Sequence, residues 1–194
     1  MIGMLARQAV QSGSLRRTVS EGLAIEWHRK LVERLRPRVI VETGVHRGRS
    51  TAAWLWALHR IGLGRLVSID LPFTEPRINA DGQPDDAHVT SLRQIGDRVP
   101  DRLKTRWTLL LGDARELLPL WLPRLAPIDL FYHDSDHTYA HMLYEYRVAW
   151  PHLRDGGVLA SDDVDRNTAF SEFAHEVGRT ATFDPYLNRG VIYK

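Results

Sequence analysis

The chain has 194 residues, of which 43% are hydrophobic, and its formal net charge of +2 comes from 26 Lys and Arg against 24 Asp and Glu. This length supports one domain, 1–194, and the nearly balanced charge provides no long-range field for nucleic acid or an anionic membrane, so neither is an expected partner. Cysteine is absent, which excludes disulfides, thiolate metal ligands and a cysteine nucleophile and is typical of cytoplasmic proteins.

The N-terminal segment, 1–36, precedes the first predicted strand and is expected to be helical over 20–35. Two interpretations of this segment stay open: a lid or docking helix, or a helix that lies on a membrane surface because of its arginines. Its apolar face would serve a homodimer as readily as a lid. No apolar run reaches the roughly 18 to 20 residues that cross a bilayer, so we expect a cytoplasmic protein without a membrane segment.

Short apolar runs that end in polar or acidic residues alternate with segments of helical spacing along the rest of the chain. The runs predict strands at 38–43, 65–70, 107–113, 128–134, 156–163, 180–184 and 190–194. The intervening segments predict helices at 50–62, 114–122, 138–153 and 168–178. This alternation predicts an α/β protein with a seven-stranded, mostly parallel sheet, helices on both faces and an antiparallel C-terminal strand.

One long segment, 71–103, interrupts this alternation and is rich in Pro, Gly and Asp. A long excursion after a strand in a compact domain is often a binding loop, so the segment is predicted to be a lid-like insertion.

Acidic residues follow all five of the strands that are predicted to be parallel. Because ligands of an open parallel sheet bind beyond the carboxyl ends of its strands, these residues are expected to face one crevice. They are Glu42, Asp70, Asp113, Asp134 and the pair Asp162 and Asp163. Any one of them is also explained as a solvated loop residue or a helix cap.

The first strand leads into the turn "VETGVHRGRST", 41–51, whose glycines allow unusual backbone angles and close approach of a ligand. The helix that follows offers free N–H groups to a carboxylate. Neither the dinucleotide-binding pattern nor the phosphate loop is present, which disfavours a nucleoside triphosphate. Asp70 is placed to bind ribose hydroxyls and Asp113 to face adenine, so the sequence predicts an adenosine-containing cofactor without a phosphate cradle.

These residues resemble the class I S-adenosylmethionine-dependent methyltransferases over about 38–194, and among them the small metal-dependent O-methyltransferases of the catechol, caffeoyl-CoA and macrocin types. The resemblance implies a Rossmann-like fold and S-adenosyl-L-methionine as cofactor. Its E-x-G-x-x-x-G-x-S turn, which binds the methionine end, and its acidic and "GDA" segments, which bind ribose and adenine, correspond here to Glu42, Thr43, Gly44, His46, Gly48, Ser50, Asp70, Asp113 and Ala114. His46 stands where the catechol enzymes carry an aromatic residue.

The same resemblance implies a divalent cation, with Mg²⁺ favoured, held by Asp134, Asp162 and Asp163; Asp134 would also lie beside the cofactor. Three carboxylates at one rim repel each other unless a cation or protons compensate, and oxygen ligands favour Mg²⁺, Mn²⁺ or Ca²⁺ over zinc. The alternative is that Asp162 and Asp163 only cap the turn that follows them.

The segment "FYHDSDHTYAH", 131–141, raises a rival zinc site from His133, His137 and His141. A spacing of four joins such ligands only on a helix, whereas His133 belongs to a strand and is expected to face away from Asp134.

His137 is instead the first choice for a general base, because its ordinary pKa suits proton removal near neutral pH. It stands where the catechol and caffeoyl-CoA enzymes place a lysine, and Asp136 competes for the role. The non-catalytic alternative is that His137 caps the helix and that Asp136 is a solvated turn residue.

The sequence therefore predicts transfer of a methyl group from S-adenosylmethionine to a hydroxyl of a small molecule, phenolic or sugar, with a divalent metal and a general base assisting. Trp27, Phe73 and Trp107 either line the acceptor pocket or pack in the core. Three alternatives are a metal-independent methyltransferase, a metal-dependent hydroxylase-like enzyme and a non-catalytic binding module on the same fold.

Overall fold

A computed structural model describes residues 13–71, 77–78, 84–85 and 91–194, with side chains described over 22–71 and 91–194. The strands are β1 (Val39–Thr43), β2 (Arg65–Asp70), β3 (Arg77–Ile78), β4 (Pro84–Asp85), β5 (Trp107–Leu111), β6 (Ile128–His133), β7 (Leu153–Ser161), β8 (Ala181–Phe183) and β9 (Gly190–Tyr193). The α-helices are α1 (Gly13–Leu35), α2 (Arg49–Ile61), α3 (Ala114–Leu125), α4 (Tyr139–Ala149) and α5 (Ala169–Glu176), and 3₁₀ turns lie at Asp101–Arg106 and Trp150–His152.

The main sheet has seven strands in the order β5-β2-β1-β6-β7-β9-β8. Strands β5, β2, β1, β6 and β7 run parallel, whereas β9 pairs antiparallel with both β7 and β8. The predicted seven-stranded α/β architecture is thereby confirmed. Strand order reverses between β1 and β6, and in such sheets the crevice at the carboxyl ends of the strands on either side of the reversal is the usual ligand site.

Each face of the sheet has its own apolar core, because neighbouring residues of a strand point to opposite faces. Phe131 of β6 packs with Tyr146 of α4 and Phe173 of α5 on one face. The next residue, Tyr132, packs with Trp54 of α2 and Val32 of α1 on the other. By the same alternation, the next two residues, His133 and Asp134, are directed to opposite faces of the sheet.

The predicted insertion, 71–103, is described in part. Its residues 72–76, 79–83 and 86–90, and with them Phe73, lie outside the described residues. Strands β3 and β4 form a short antiparallel pair. Nearer β5, the Gly96 N–H donates to the His46 carbonyl at 2.9 Å and the Arg98 N–H donates to the Arg47 carbonyl at 3.0 Å. This part of the insertion is thus bonded to the turn after β1, and its action as a lid stays a prediction.

Helix α1 packs against α2 through buried Leu31 and Val32. Among the described residues, no helix has the length and apolar character to span a bilayer. The choice between a lid and a dimer contact for this helix stays a prediction.

Candidate functional site

A cleft of about 1160 Å³ opens at the carboxyl ends of the parallel strands. Most of the predicted site residues line it: Gly44, His46, Ser50, Asp70, Asp113, Ala114, Asp134, Asp136, His137, Asp162 and Asp163. Glu42, Thr43 and Gly48 belong to the same 41–51 segment but do not line the cleft. Folding therefore brings residues from five strand ends around one cavity.

The turn after β1 takes its shape from its glycines and from Asp70. Gly44 has a φ of +83°, and a Cβ atom there would lie 1.9 Å from the Asp134 carbonyl oxygen, so only glycine allows the turn to approach the end of β6. Asp70 Oδ2 accepts hydrogen bonds from the N–H groups of Val45 and His46, both at 2.6 Å. Asp70 thus stabilises the turn while it lines the cleft.

Glu42 is fully buried and lies beneath the turn rather than in the cleft. Its carboxylate accepts hydrogen bonds from Ser50 at 2.7 Å, Thr51 at 2.8 Å and Ser68 at 2.7 Å. Burial raises the pKa of Glu42 to about 7, although these three hydrogen bonds oppose the rise. Glu42 therefore ties the start of α2 to β1 and β2.

Asp113 combines the two roles that the sequence left open. Its Oδ1 accepts from the Arg115 N–H at 2.8 Å, which caps the N-terminus of α3, and the residue also lines the cleft beside Ala114. Trp107 donates through Nε1 to Ser68 at 3.0 Å and does not line the cleft, so the structure places this tryptophan in the packing beneath β2.

The three histidines of 131–141 do not converge on a metal. His133 is fully buried on the face opposite Asp134, as predicted, and its Nδ1 lies 2.7 Å from Glu145 Oε2. His141 Nε2 lies 2.8 Å from the other oxygen of Glu145. Burial opposes ionisation of Glu145, but the charge and hydrogen bond of His133, followed by those of His141, lower its pKa well below the ordinary value. This arrangement gives the zinc alternative no support.

His141 and His137 both line the cleft. The imidazole of His141 contacts Glu145, so the candidate for a base in this segment is His137. Its Nε2 is buried and has no hydrogen-bond partner among the described side chains. Burial lowers the pKa of His137, the neighbouring His133 adds to this, and Asp163 and Asp162 oppose it. A neutral imidazole at neutral pH can accept a proton. Asp136 Oδ1 accepts from the Thr138 N–H at 3.0 Å, a bond typical of a turn residue.

The two carboxylates at the end of β7 are each paired with an arginine. Asp162 Oδ1 accepts from Arg189 Nε at 2.7 Å, and Asp163 Oδ2 accepts from Arg166 Nε at 2.9 Å. Burial raises the pKa of Asp134 well above its ordinary value; the charge of Asp162 adds to the rise and that of Arg189 opposes it.

This arrangement does not fit the predicted divalent cation. Mg²⁺ or Mn²⁺ would need oxygens of Asp134, Asp162 and Asp163 to face one point, whereas two of these carboxylates already face guanidinium groups. Over residues 22–71 and 91–194, no group of three or more His, Asp and Glu side chains is placed to hold an ion. The prediction of a metal site is therefore not confirmed.

Two residues of this region were not predicted from the sequence. Glu145 was detectable as the residue four positions after His141 on a helix, which places both on one face. Arg189 directly precedes β9, and Gly190 pairs with Ser161 of β7. Because β9 runs antiparallel to β7, the start of β9 lies beside the carboxyl end of β7. Pairing the last predicted strand with β7 would therefore have placed Arg189 near Asp162.

The fold and the cleft define an α/β protein with a candidate ligand site at the carboxyl edge of a parallel sheet, where an acidic residue follows each parallel strand. The sequence model of the family described as "methyltransferase domain" matches residues 41–164, which is more than half of the chain. The protein belongs to this family and is a class I S-adenosylmethionine-dependent methyltransferase.

Two solved structures are similar to this chain in fold. An O-methyltransferase from Bacillus cereus, in complex with S-adenosylhomocysteine, shares 18% identity and has a TM-score of 0.61, over 88% of this chain and 80% of that one. The calicheamicin methyltransferase CalS11 shares 21% identity and has a TM-score of 0.64, over 98% of this chain and 90% of that one. A comparison with curated proteins found no match.

Proposed function

We propose that this protein transfers the methyl group of S-adenosylmethionine to a hydroxyl oxygen of a small molecule. The observation that carries this proposal is the shared cleft: the predicted cofactor residues at the ends of β1, β2 and β5 and the predicted acceptor residues at the ends of β6 and β7 line one cavity. Direct displacement needs the methyl donor and the acceptor in line and needs no protein nucleophile. A single cavity that binds both the cofactor and the acceptor is therefore sufficient for the reaction.

The cofactor half is formed by the turn after β1, Asp70 and Asp113. In our proposal the methionine carboxylate meets the amide groups at the start of α2, where Ser50 lines the cleft. Asp70 keeps Oδ2 on the turn and presents its second carboxylate oxygen to the ribose hydroxyls. Adenine lies beside Asp113 and Ala114. The B. cereus O-methyltransferase of similar fold holds S-adenosylhomocysteine, which supports this cofactor.

The acceptor half contains His137, which we propose as the general base. This residue lines the cleft, and its buried Nε2 has no hydrogen-bond partner among the described residues. Its lowered pKa leaves the imidazole neutral and able to accept a proton. Asp136 is the second candidate for this role. Metal-assisted transfer stays a prediction from the sequence, and the pairing of Asp162 and Asp163 with arginines favours transfer without an ion.

The first test is a calorimetric titration with S-adenosylmethionine. We expect the wild type to bind and Asp70→Asn to bind at least about tenfold more weakly, because a charged acceptor for the ribose is lost. The matched control is Asp155→Asn, an exposed carboxylate on β7 that does not line the cleft. Failure of the wild type to bind S-adenosylmethionine would overturn the proposal.

A second test identifies the acceptor class. The wild type is incubated with S-adenosylmethionine and a panel of phenols, sugars and amines, and release of S-adenosylhomocysteine is measured. Turnover confined to hydroxylated compounds supports the proposal, whereas turnover confined to amines would overturn the assignment of a hydroxyl acceptor.

A further inference from the structure

The acceptor end of the cleft already contains a buried positive charge, that of Arg189. The residue is 9% exposed, and Nε donates to Asp162 Oδ1 at 2.7 Å. The pairing of Gly190 with Ser161 fixes the backbone of Arg189 beside the carboxyl end of β7. The sheet register therefore holds this charge among the carboxylates that were predicted to bind a metal.

Two aromatic rings lie close to the guanidinium. The Arg189 Cζ atom lies 5.2 Å from the ring centroid of Trp27 and 5.9 Å from that of Tyr132. Arginine stacks on such rings while its N–H groups remain directed at acceptors in its plane. Trp27 belongs to α1, and Ala24, Ile25 and His28 of the same helix line the cleft.

One nitrogen of this guanidinium lacks a partner. Arg189 Nη1 is buried and makes no hydrogen bond to any of the described residues. The phenolic oxygen of Tyr132, whose ring lies beside it, is unpartnered in the same sense. A buried donor without an acceptor is costly, so a ligand oxygen that supplies the acceptor would be bound favourably.

We propose that Arg189 takes the place of the divalent cation and that its Nη1 binds the acceptor hydroxyl oxygen during methyl transfer. This inference rests on the proposed function and deepens it. The acceptor O–H bond breaks with its proton passing to His137 Nε2, the oxygen forms a bond to the methyl carbon, and the bond from that carbon to sulfur breaks. Sulfur leaves as the neutral thioether of S-adenosylhomocysteine, and the positive charge of the sulfonium is replaced by that of the imidazolium. Arg189 stabilises the negative charge that develops on the oxygen.

The same geometry indicates the acceptor class. A single guanidinium, already paired with Asp162, stabilises an oxyanion less than a divalent ion does. The acceptor must then be the more acidic kind of hydroxyl, and phenols, with pKa values of about 10, ionise far more readily than sugar hydroxyls. We therefore assign a phenolic acceptor.

The test uses Mn²⁺ alone as the probe, with the loss of its free electron paramagnetic resonance signal as the measure of binding. The wild type is compared with Arg189→Ala, in which the carboxylates lose their guanidinium, and with Arg189→Ala/Asp162→Asn. We expect Arg189→Ala to bind Mn²⁺ at least about tenfold more tightly than the wild type does. The double variant, which lacks the Asp162 carboxylate, should lose the Mn²⁺ site that Arg189→Ala gains. Near-ultraviolet circular dichroism checks that each variant is folded.

Stoichiometric Mn²⁺ binding by the wild type that Asp162→Asn abolishes would overturn the inference, because the metal would then displace Arg189. A folded Arg189→Ala protein that gains no Mn²⁺ site would also overturn it. If Arg189→Ala does not fold, the wild-type titration decides alone: weak, non-saturating binding supports the inference and a saturable site overturns it. Calorimetry with S-adenosylmethionine is run in parallel. Absent cofactor binding would mean that the proposed function is wrong, whereas intact cofactor binding with a saturable Mn²⁺ site in the wild type would mean that only the role of Arg189 is wrong.

The acceptor class has its own readout in the phenol and sugar panel described above, repeated with EDTA. Methylation of a phenol that persists in EDTA and falls in Arg189→Lys supports the assignment, because lysine keeps the charge but loses the second donor nitrogen. Abolition by EDTA, or turnover confined to sugars, overturns it.

Discussion

Glu145 and His133 lie in direct contact in the interior, with Glu145 Oε2 2.7 Å from His133 Nδ1 and both side chains 0% exposed. Thr43 and Ser135 donate to the same carboxylate at 2.6 and 2.8 Å, and His141 Nε2 lies 2.8 Å away. One buried carboxylate therefore joins β1, β6, the loop that carries the predicted acceptor residues, and α4. This network lies directly behind His137, whose ring centroid is 5.1 Å from that of His133.

Replacing Glu145 with Gln should destabilise the fold. The amide keeps the shape of the carboxylate but presents an NH₂ group to at least one of the four donors, and it removes a charge that strengthens each bond. We expect the free energy of unfolding, measured with urea, to fall by about 2 to 4 kcal/mol. Glu176→Gln, which removes an exposed carboxylate paired with Arg147, should leave the unfolding midpoint almost unchanged. Equal effects of the two substitutions would contradict the structural role of Glu145.

Glu42 should make the fold less stable as the pH rises from about 4.5 to about 7, the interval between its ordinary pKa and its raised pKa in the folded protein. In this interval the unfolded chain has released the proton that the folded protein retains, so the free energy of unfolding falls with increasing pH. Each pKa unit corresponds to about 1.4 kcal/mol, and the full effect approaches about 3 kcal/mol.

Urea unfolding of the wild type and of Glu42→Gln at both ends of this interval checks the prediction. Glutamine cannot ionise and can still accept the hydroxyl bonds, so the variant should lack this part of the pH dependence. The other titrating groups are common to both proteins and cancel in the comparison. Identical pH profiles for the two proteins would show that the pKa of Glu42 is not raised.

Gly44→Ala should disrupt the turn after β1 more than a comparable glycine substitution elsewhere. The new Cβ atom would lie 1.9 Å from the Asp134 carbonyl oxygen, so the turn or the end of β6 has to move. Gly62→Ala is the matched control, because Gly62 also has a positive φ, +68°, but nothing lies within 4 Å of its Cβ position.

We expect Gly62→Ala to lower the free energy of unfolding by about 1 kcal/mol and Gly44→Ala by more than about 3 kcal/mol. Binding of S-adenosylmethionine should be lost only in Gly44→Ala. Similar costs in both variants, with cofactor binding retained, would show that the turn relaxes without consequence for the cleft.

His137→Gln should slow methyl transfer with little effect on cofactor affinity. Removal of a general base typically costs about 100-fold or more in kcat. The control is His59→Gln, an exposed residue of α2 that does not line the cleft, and it should leave kcat unchanged. The measurement is steady-state release of S-adenosylhomocysteine together with calorimetric titration of the cofactor. An unaltered kcat in His137→Gln would transfer the role of base to Asp136.

The sheet was predictable because its signals are local. The apolar runs that became β1, β2 and β6 are each bounded by polar residues, and strand and helix periods differ enough to separate them. The different placements of His133 and His137 were also predictable in kind, since strand alternation turns His133 away from Asp134 and leaves His137 in the loop beyond the strand. Asp113 caps the helix through one carboxylate oxygen and also lines the cleft, and its contact with adenine stays a prediction.

The electrostatic character of the acceptor end was not predictable in the same way. Three aspartates near one sheet edge imply a cation but do not say which one, and the resemblance pointed to a divalent metal. Arg189 is 27 residues from Asp162 in sequence, and only the pairing of β9 with β7 places its guanidinium on that carboxylate. The burial that raises the pKa of Glu42 likewise depends on β2 and α2 closing over it.

The sequence by itself determined the parallel α/β sheet, the glycine turn and the acidic strand ends of a methyltransferase, because these follow from short-range periodicity and from residue types at fixed spacing. The tertiary structure alone decided which polar groups lie in contact. Glu145 contacts His133 on one face of the sheet, and Arg189 contacts Asp162 at the carboxyl edge of the sheet. Charges interact through space, and their partners are set by strand register and helix packing between segments far apart in the chain.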